Sequence, residues 1–283
     1  MVGEEVDVHV HKVKKNNGIV LDAISIISSS SHSSPSIYLN DLFHGFKCGK
    51  SLFYLARKVL EISEEHGRRI ELPDDFFMNF NKIKHRICYR LINYERNQEL
   101  LKEVPHEKVM NLAKVYYYYV EQEVIKNAAI MIRKVDLVRW GTPEKELKKC
   151  AEENTPKLLK WQFEKMQDLM AELLDDIGLA ETFETVQDDY IQLYVLTNES
   201  QYYGASCMLY PHVLEKIADQ LDSHFFILPS SIHECIIMPD SGHYSQENLS
   251  QMVTEINEEH LDAMEVLADK VYYYDKNAKA IMT

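Results

Sequence analysis

Glycine and proline are scarce in this chain, nine and eight of 283 residues, which excludes collagen-like sequence and broad disorder. No apolar run approaches the roughly 20 residues of a membrane-spanning helix, so no membrane partner is expected. Basic residues are outnumbered, 31 against 45 acidic, for a formal net charge of −14. They are also scattered, with no block denser than HKVKK near the start. Affinity for phosphate backbones comes mostly from Lys and Arg displacing counterions, so the charge argues against nucleic acid as a partner. The five cysteines, Cys48, Cys88, Cys150, Cys207 and Cys235, are odd in number and widely spaced. That pattern fits reduced, buried thiols in a cytoplasmic protein, not a disulfide framework or a zinc site. The stretch MVGEEVDVHVHK alternates and carries charge, without the apolar segment of a secretory signal. Phosphate-loop glycines, a G-x-S-x-G elbow, H-E-x-x-H and C-x-x-C are all missing, so no cofactor and no metal are expected.

What is present is mixed secondary structure in mixed order, which predicts an α+β class with mixed or antiparallel sheets and packed amphipathic helices. Asn17-Gly18 between two extended runs predicts a β-hairpin. The serine-rich stretch from Ser28 to Ser36 reads as a loop, IYLN as an extended segment, and Asn40 or Asp41 as the cap of a helix. Leu52, Leu55, Ala56, Val59, Leu60 and Ile62 share one helical face, closed by Gly67. HRICYRLINY, NLAKVYYYYV and AAIMIRKV read as strands. At Gly141-Thr142-Pro143 the pattern switches to helix, with Thr142 as N-cap, and the expected halves are 1–141 and 142–283. Leu159, Phe163, Met166, Met170, Leu173 and Ile177 then predict one long helix. IQLYVLTN, YGASCMLY, FFIL and CIIM follow as strands, with helices after Pro211 and around Leu249, Met252, Val253 and Ile256, and KVYYYD as an edge strand.

The polar insert between FFIL and CIIM, residues 229–234, holds the densest chemistry. Ser231 and His233 would share one face of a strand, with Glu234 pointing away. Catalytic Ser and His side chains usually converge from distant segments. The insert is therefore read as a hydrogen-bonded corner that reverses the backbone. His9 and His11 share a face of the first strand, but a metal needs a third ligand that the sequence does not offer. Tyr116 to Tyr119 would split two and two across a sheet, ring bodies in the core and hydroxyls at its margin.

VKKNNGIVLDAISI, SPSIYLNDLFHGFKCG, RICYRLINYERNQELLKEVPH and LYVLTNESQYYGASCMLYPHVLEKIADQLDSHFFILPSSIHECIIMP together resemble an uncharacterised bacterial domain-of-unknown-function family found mostly in anaerobic gram-positive gut bacteria. The pattern is also distantly similar to a second bacterial family in which Pro-Ser at the late corner precedes charged residues other than His, so that His233 is a departure. The resemblance implies a cytosolic bacterial protein and brings no activity, cofactor or site residue. Two functions remain. The favoured one is a non-catalytic binding or interaction module that meets another protein or a peptide. The alternative is a hydrolase or transferase with a non-standard site near His233, with Ser206, Cys207, Ser231 and Glu234 as companions.

Overall fold

The computed structural model describes residues 6–28, 36–67, 76–122, 125–176, 192–229 and 231–282; residues 29–35 of the serine-rich stretch, Ile177 and Gly178 lie outside these. Strands β1 (Val6–Lys14) and β2 (Val20–Ser28) pair antiparallel from Val6↔Ser28 to Lys14↔Val20. Asn17 at φ 58° and Gly18 at φ 71° turn the chain between them, the geometry that an Asn-Gly step favours. β3 (Ile37–Tyr38) extends this sheet from β2. α1 (Asn40–Lys47) follows Leu39 without a side-chain cap, so neither Asn40 nor Asp41 takes the expected role; Asp41 sits in the first turn, where the helix dipole favours it. α2 (Leu52–Gly67) buries Leu55 and Val59 but leaves Leu52 and Leu60 exposed, a narrower stripe than the periodicity predicts.

A short α3 (Phe80–Ile83) leads into β4 (Ile87–Asn93), α4 (Gln98–Glu103), β5 (His106–Val109), β6 (Leu112–Gln122) and β7 (Ile125–Met131). β6 is the spine of this second sheet. β4 pairs along one side of it, and β5 and β7 lie in tandem along the other, all antiparallel. The tyrosine run lies on β6, but the hydroxyls of Tyr116 and Tyr117 are themselves buried and do not reach the expected margin. After β7 the chain forms α5 (Lys134–Trp140), whose first two residues sequence patterning reads as the end of the strand AAIMIRKV. Gly141 closes α5 in the left-handed region at φ 61°, and α6 (Glu144–Leu158) begins with Pro143, not Thr142, at the cap position.

The predicted long helix across residues 159–177 is a correction. Trp161–Lys165 is strand β8, paired with β9 (Tyr194–Asn198) in the register Trp161↔Asn198, and α7 (Met166–Asp176) starts only afterwards. Residues 204–209, read as a strand, form a buried 3-10 turn, because Gln201 and Tyr203 adopt positive φ and fold the chain back on itself. α8 (Val213–Leu221), β10 (Phe225–Leu228), β11 (Cys235–Pro239) and α9 (Gln246–His260) form where the patterning places them. β12 (Tyr272–Asp275) is an interior strand, not an edge, because β13 (Ala280–Met282) pairs outside it. The third sheet runs β13-β12-β10-β11-β9-β8, antiparallel throughout.

The result is an α+β fold with three antiparallel sheets. One face of the six-stranded sheet carries Leu196, Phe225, Ile227, Cys235, Ile237 and Tyr272, all fully buried. They join a core cluster that takes Ile87, Tyr89, Leu112 and Tyr117 from before Gly141 and Leu147, Ala151, Leu196 and Ile217 from after it. α6 is fastened to β4 by hydrogen bonds: Tyr89 N–H donates to Thr155 Oγ1 at 3.0 Å, and Asn154 Nδ2 donates to the Ile87 carbonyl at 3.1 Å. On the opposite face, α9 covers Phe226 and Met238 with Leu249 and Val253. Among the described residues no helix is long and apolar enough to cross a membrane.

Candidate functional site

The face of the six-stranded sheet that α9 covers at one end forms a cavity at the other. Period-two alternation decides its floor. Phe163, Tyr194, Leu196 and Cys235 point to the core, so Gln162 and Glu164 of β8, Val195 and Thr197 of β9, and Ile236 of β11 point the other way. Met166, Leu169 and Met170 of α7 form one wall, and Leu261 and Glu265 another. The cavity has a volume of about 930 Å³ and is open to solvent.

Ser231, His233 and Glu234 all line this cavity. The alternation expected of a strand, with Glu234 turned away, does not hold, because the segment before Cys235 is a turn and not a strand. The backbone explains the shape. Ser231 Oγ accepts from the His233 N–H at 2.9 Å, a local serine turn. The Ile232 N–H donates to the Glu265 carbonyl at 2.8 Å, and the Ala268 N–H to the Pro229 carbonyl at 3.0 Å, so the turn is strapped to residues 265–268. Thr197 Oγ1 donates to the His233 carbonyl at 2.8 Å from below.

The imidazole of His233 is held on both sides. Its Nδ1 accepts a long hydrogen bond from the Tyr203 N–H at 3.4 Å, which leaves Nε2 facing Glu265 at 3.7 Å. The ring stacks on Tyr203 at a centroid separation of 5.8 Å and an interplanar angle of 14°. The Ser231 hydroxyl accepts from the His233 backbone N–H, while the His233 ring accepts from the Tyr203 N–H, so neither of these bonds joins the serine to the imidazole. Cys207 lies apart: fully buried, it donates to the Thr197 carbonyl at 3.2 Å, and burial pushes its thiol up to about 12. That environment suppresses the thiolate a nucleophile needs. Ser206 is likewise buried and does not border the cavity. His9 is exposed on β1, and His11 Nε2 meets Ser36 Oγ at 3.2 Å; neither lines either cavity described here. Among the described residues no three His, Cys, Asp or Glu side chains converge to hold a metal ion.

Burial raises the Glu234 carboxyl above its usual range, opposed by the Ser231 hydrogen bond and the charge of His233. A carboxyl whose folded pKa lies above its unfolded value binds its proton more tightly when folded, so stability falls as pH rises past the unfolded value of about 4.3. Glu234→Gln is therefore expected to raise the melting temperature at neutral pH, the gain fading below about pH 4. Thermal unfolding followed by circular dichroism at both pH values checks this; a lower melting temperature at neutral pH contradicts it.

A second cavity, of about 490 Å³, shares His233 and Glu265 with the first and opens on the other side of Tyr203, toward the tip of the β1–β2 hairpin. Sequence patterning offers no warning of it, because its walls come from β1, β4, β7 and the turns near Tyr203 and Met264. The one available signal is Arg90, the single charge inside ICYRLIN.

No curated protein and no solved structure matches this chain. A family model does, across residues 1–276. The chain belongs to that family, a family of unknown function designated DUF5688.

Proposed function

We propose that this protein is a non-catalytic binding module whose larger cavity receives a basic segment of another protein or a peptide. One observation carries the reading. Glu164, Glu199, Glu234 and Glu265 border the cavity, among the described residues no Lys or Arg does, and Met166, Met170, Val195 and Ile236 supply apolar surface between them. A cavity with carboxylates at its edge and thioethers on its wall suits a side chain that has an aliphatic stem and a cationic head. Two of the carboxylates have partial partners, Glu199 with Lys160 at 3.6 Å and Glu265 with His233, so an incoming cation also competes for them. The net charge of −14 steers basic partners toward the chain. A cytoplasmic, bacterial setting is part of the reading; the five free cysteines support the cytoplasmic part of it.

The test is fluorescence anisotropy with a labelled peptide of alternating lysine and leucine, beside an acidic peptide of equal length. Saturable binding of the basic peptide alone is expected, weakened at least about tenfold by Glu164→Lys and strongly reduced by salt. Equal binding of both peptides, or of neither, removes the proposal. The hydrolase or transferase reading has one supporting observation, that His233 faces the same cavity. Hydrolysis of a substrate panel that disappears in His233→Ala would favour it; unchanged peptide binding in that variant favours the binding module.

A further inference from the structure

The smaller cavity has the opposite electrostatic character. Lys14, Lys15, Arg90 and Arg133 line it against one lining carboxylate, the shared Glu265, in a chain whose charge is otherwise strongly negative. Glu103 pairs with Lys14 Nζ at 3.4 Å and Arg133 Nη1 at 2.8 Å, and so neutralises part of the set. The other two cations have aromatic faces in place of counterions. The Lys15 ammonium lies 4.3 Å from the centroid of Tyr38, and the Arg90 guanidinium 4.2 Å from that of Tyr203. Among the described residues neither has a carboxylate within ion-pair distance.

Arg90 is the decisive residue. It projects from β4 between the buried Tyr89 and Leu91, and its Nε is buried without a hydrogen-bond partner. Asn16 Oδ1, on the hairpin side of the same cavity, is buried and unpartnered as well; as an acceptor it calls for a hydroxyl on the ligand, not for the oxyanion itself. Withdrawing even one guanidinium nitrogen from water without an acceptor is costly, and groups placed so are usually paired or coordinate a ligand. A planar fork of donors beside an open space fits an oxyanion in two-point contact. The volume suits a small molecule and not a polymer.

We propose that this cavity binds a small oxyanion, a phosphate or carboxylate group of a low-molecular-weight ligand, with Arg90 as its principal contact and Lys15 as a second. Isothermal titration with inorganic phosphate and, separately, with succinate tests this on the full chain at low ionic strength. Saturable binding of at least one probe is expected, with a dissociation constant near or below about 1 mM. Arg90→Gln weakens it at least about tenfold and Lys15→Ala roughly threefold or more, while Lys12→Ala, at an exposed lysine outside the cavity, leaves it unchanged. A response to phosphate alone assigns a phosphorylated ligand, and a response to succinate alone a carboxylate. Should Arg90→Gln not fold, Lys15→Ala decides. The proposal is overturned if neither probe saturates by about 10 mM, or if the folded variants bind as the wild type does.

Discussion

Gly204→Ala is expected to be among the most damaging single substitutions in the protein, costing about 3 kcal/mol or more. Gly204 opens the buried 3-10 turn beneath the His233 corner. A Cβ placed there would stand 2.5 Å from the His233 carbonyl oxygen and 2.8 Å from the Asn198 backbone nitrogen, and would also collide with Thr197 Oγ1. Two of these are backbone atoms that cannot rotate away. The third is the hydroxyl that donates to the His233 carbonyl, so the methyl group also displaces the hydrogen bond that holds the corner. Asn198 doubles the effect: its side chain accepts from the Ser200 N–H and donates to the Tyr202 carbonyl, so the backbone displaced by the methyl group belongs to one tied turn. Gly141→Ala provides the contrast. Gly141 has φ 61°, and among the described residues no atom lies within 4 Å of the position a methyl group would take. Only the left-handed backbone penalty, about 1 kcal/mol, applies there. Urea unfolding of both variants measures the difference. Equal midpoints would show that the Gly204 neighbourhood relaxes, and would weaken the rigid-corner description.

The other large effect concerns the two halves. Fragments 1–141 and 142–283, expressed separately, are expected to fail to reach a cooperative folded state. The core cluster draws on both, and its ring contacts cross the boundary: Tyr89 meets Tyr210 at 6.2 Å and Tyr117 meets Tyr203 at 5.4 Å. Without its partner each half exposes large apolar side chains worth about 1.5–3 kcal/mol apiece, against a net stability of only about 5–15 kcal/mol for a whole domain. Co-expression is expected to recover a complex through the α6–β4 hydrogen bonds and the shared core. Near-ultraviolet circular dichroism and urea titration of each fragment decide it: a cooperative transition in either fragment alone would establish that half as an independent domain.

The sequence is most legible where one local signal suffices. Asn17-Gly18 determines a hairpin, and FFIL and CIIM, each uniformly apolar, become paired strands of a buried sheet. It misleads where two patterns overlap. Leu159, Phe163 and Met166 keep helical spacing, yet Trp161 to Lys165 pairs with β9, because tertiary pairing overrides an ambiguous period in so short a run. CMLY in residues 207–210 has strand-like composition, but its neighbours at positive φ coil it into the core. For the site, residues 229–234 are visible as a polar interruption, and their turn chemistry follows from Ser231. The cavity is not visible, since its floor is assembled from β8, β9 and β11 and its walls from α7 and the turn before β12. Arg90 escapes notice for the opposite reason. A lone arginine in a strand looks like the outward-facing residue of an alternation, and only the packing of Tyr203 beneath it reveals that it faces a cavity.

The tip of the first hairpin has one further bearing. Asn16 Nδ2 donates to the Met264 carbonyl at 2.7 Å and Asn17 Nδ2 to the Val266 carbonyl at 2.7 Å, partners that lie 248 and 249 positions downstream. A ribosome adding roughly 5–20 residues per second takes on the order of 10–50 s to supply them. The hairpin is therefore made well before its seat and settles late, and throughout that interval its valine-lined ribbon stays in the nascent chain with that seat not yet synthesised.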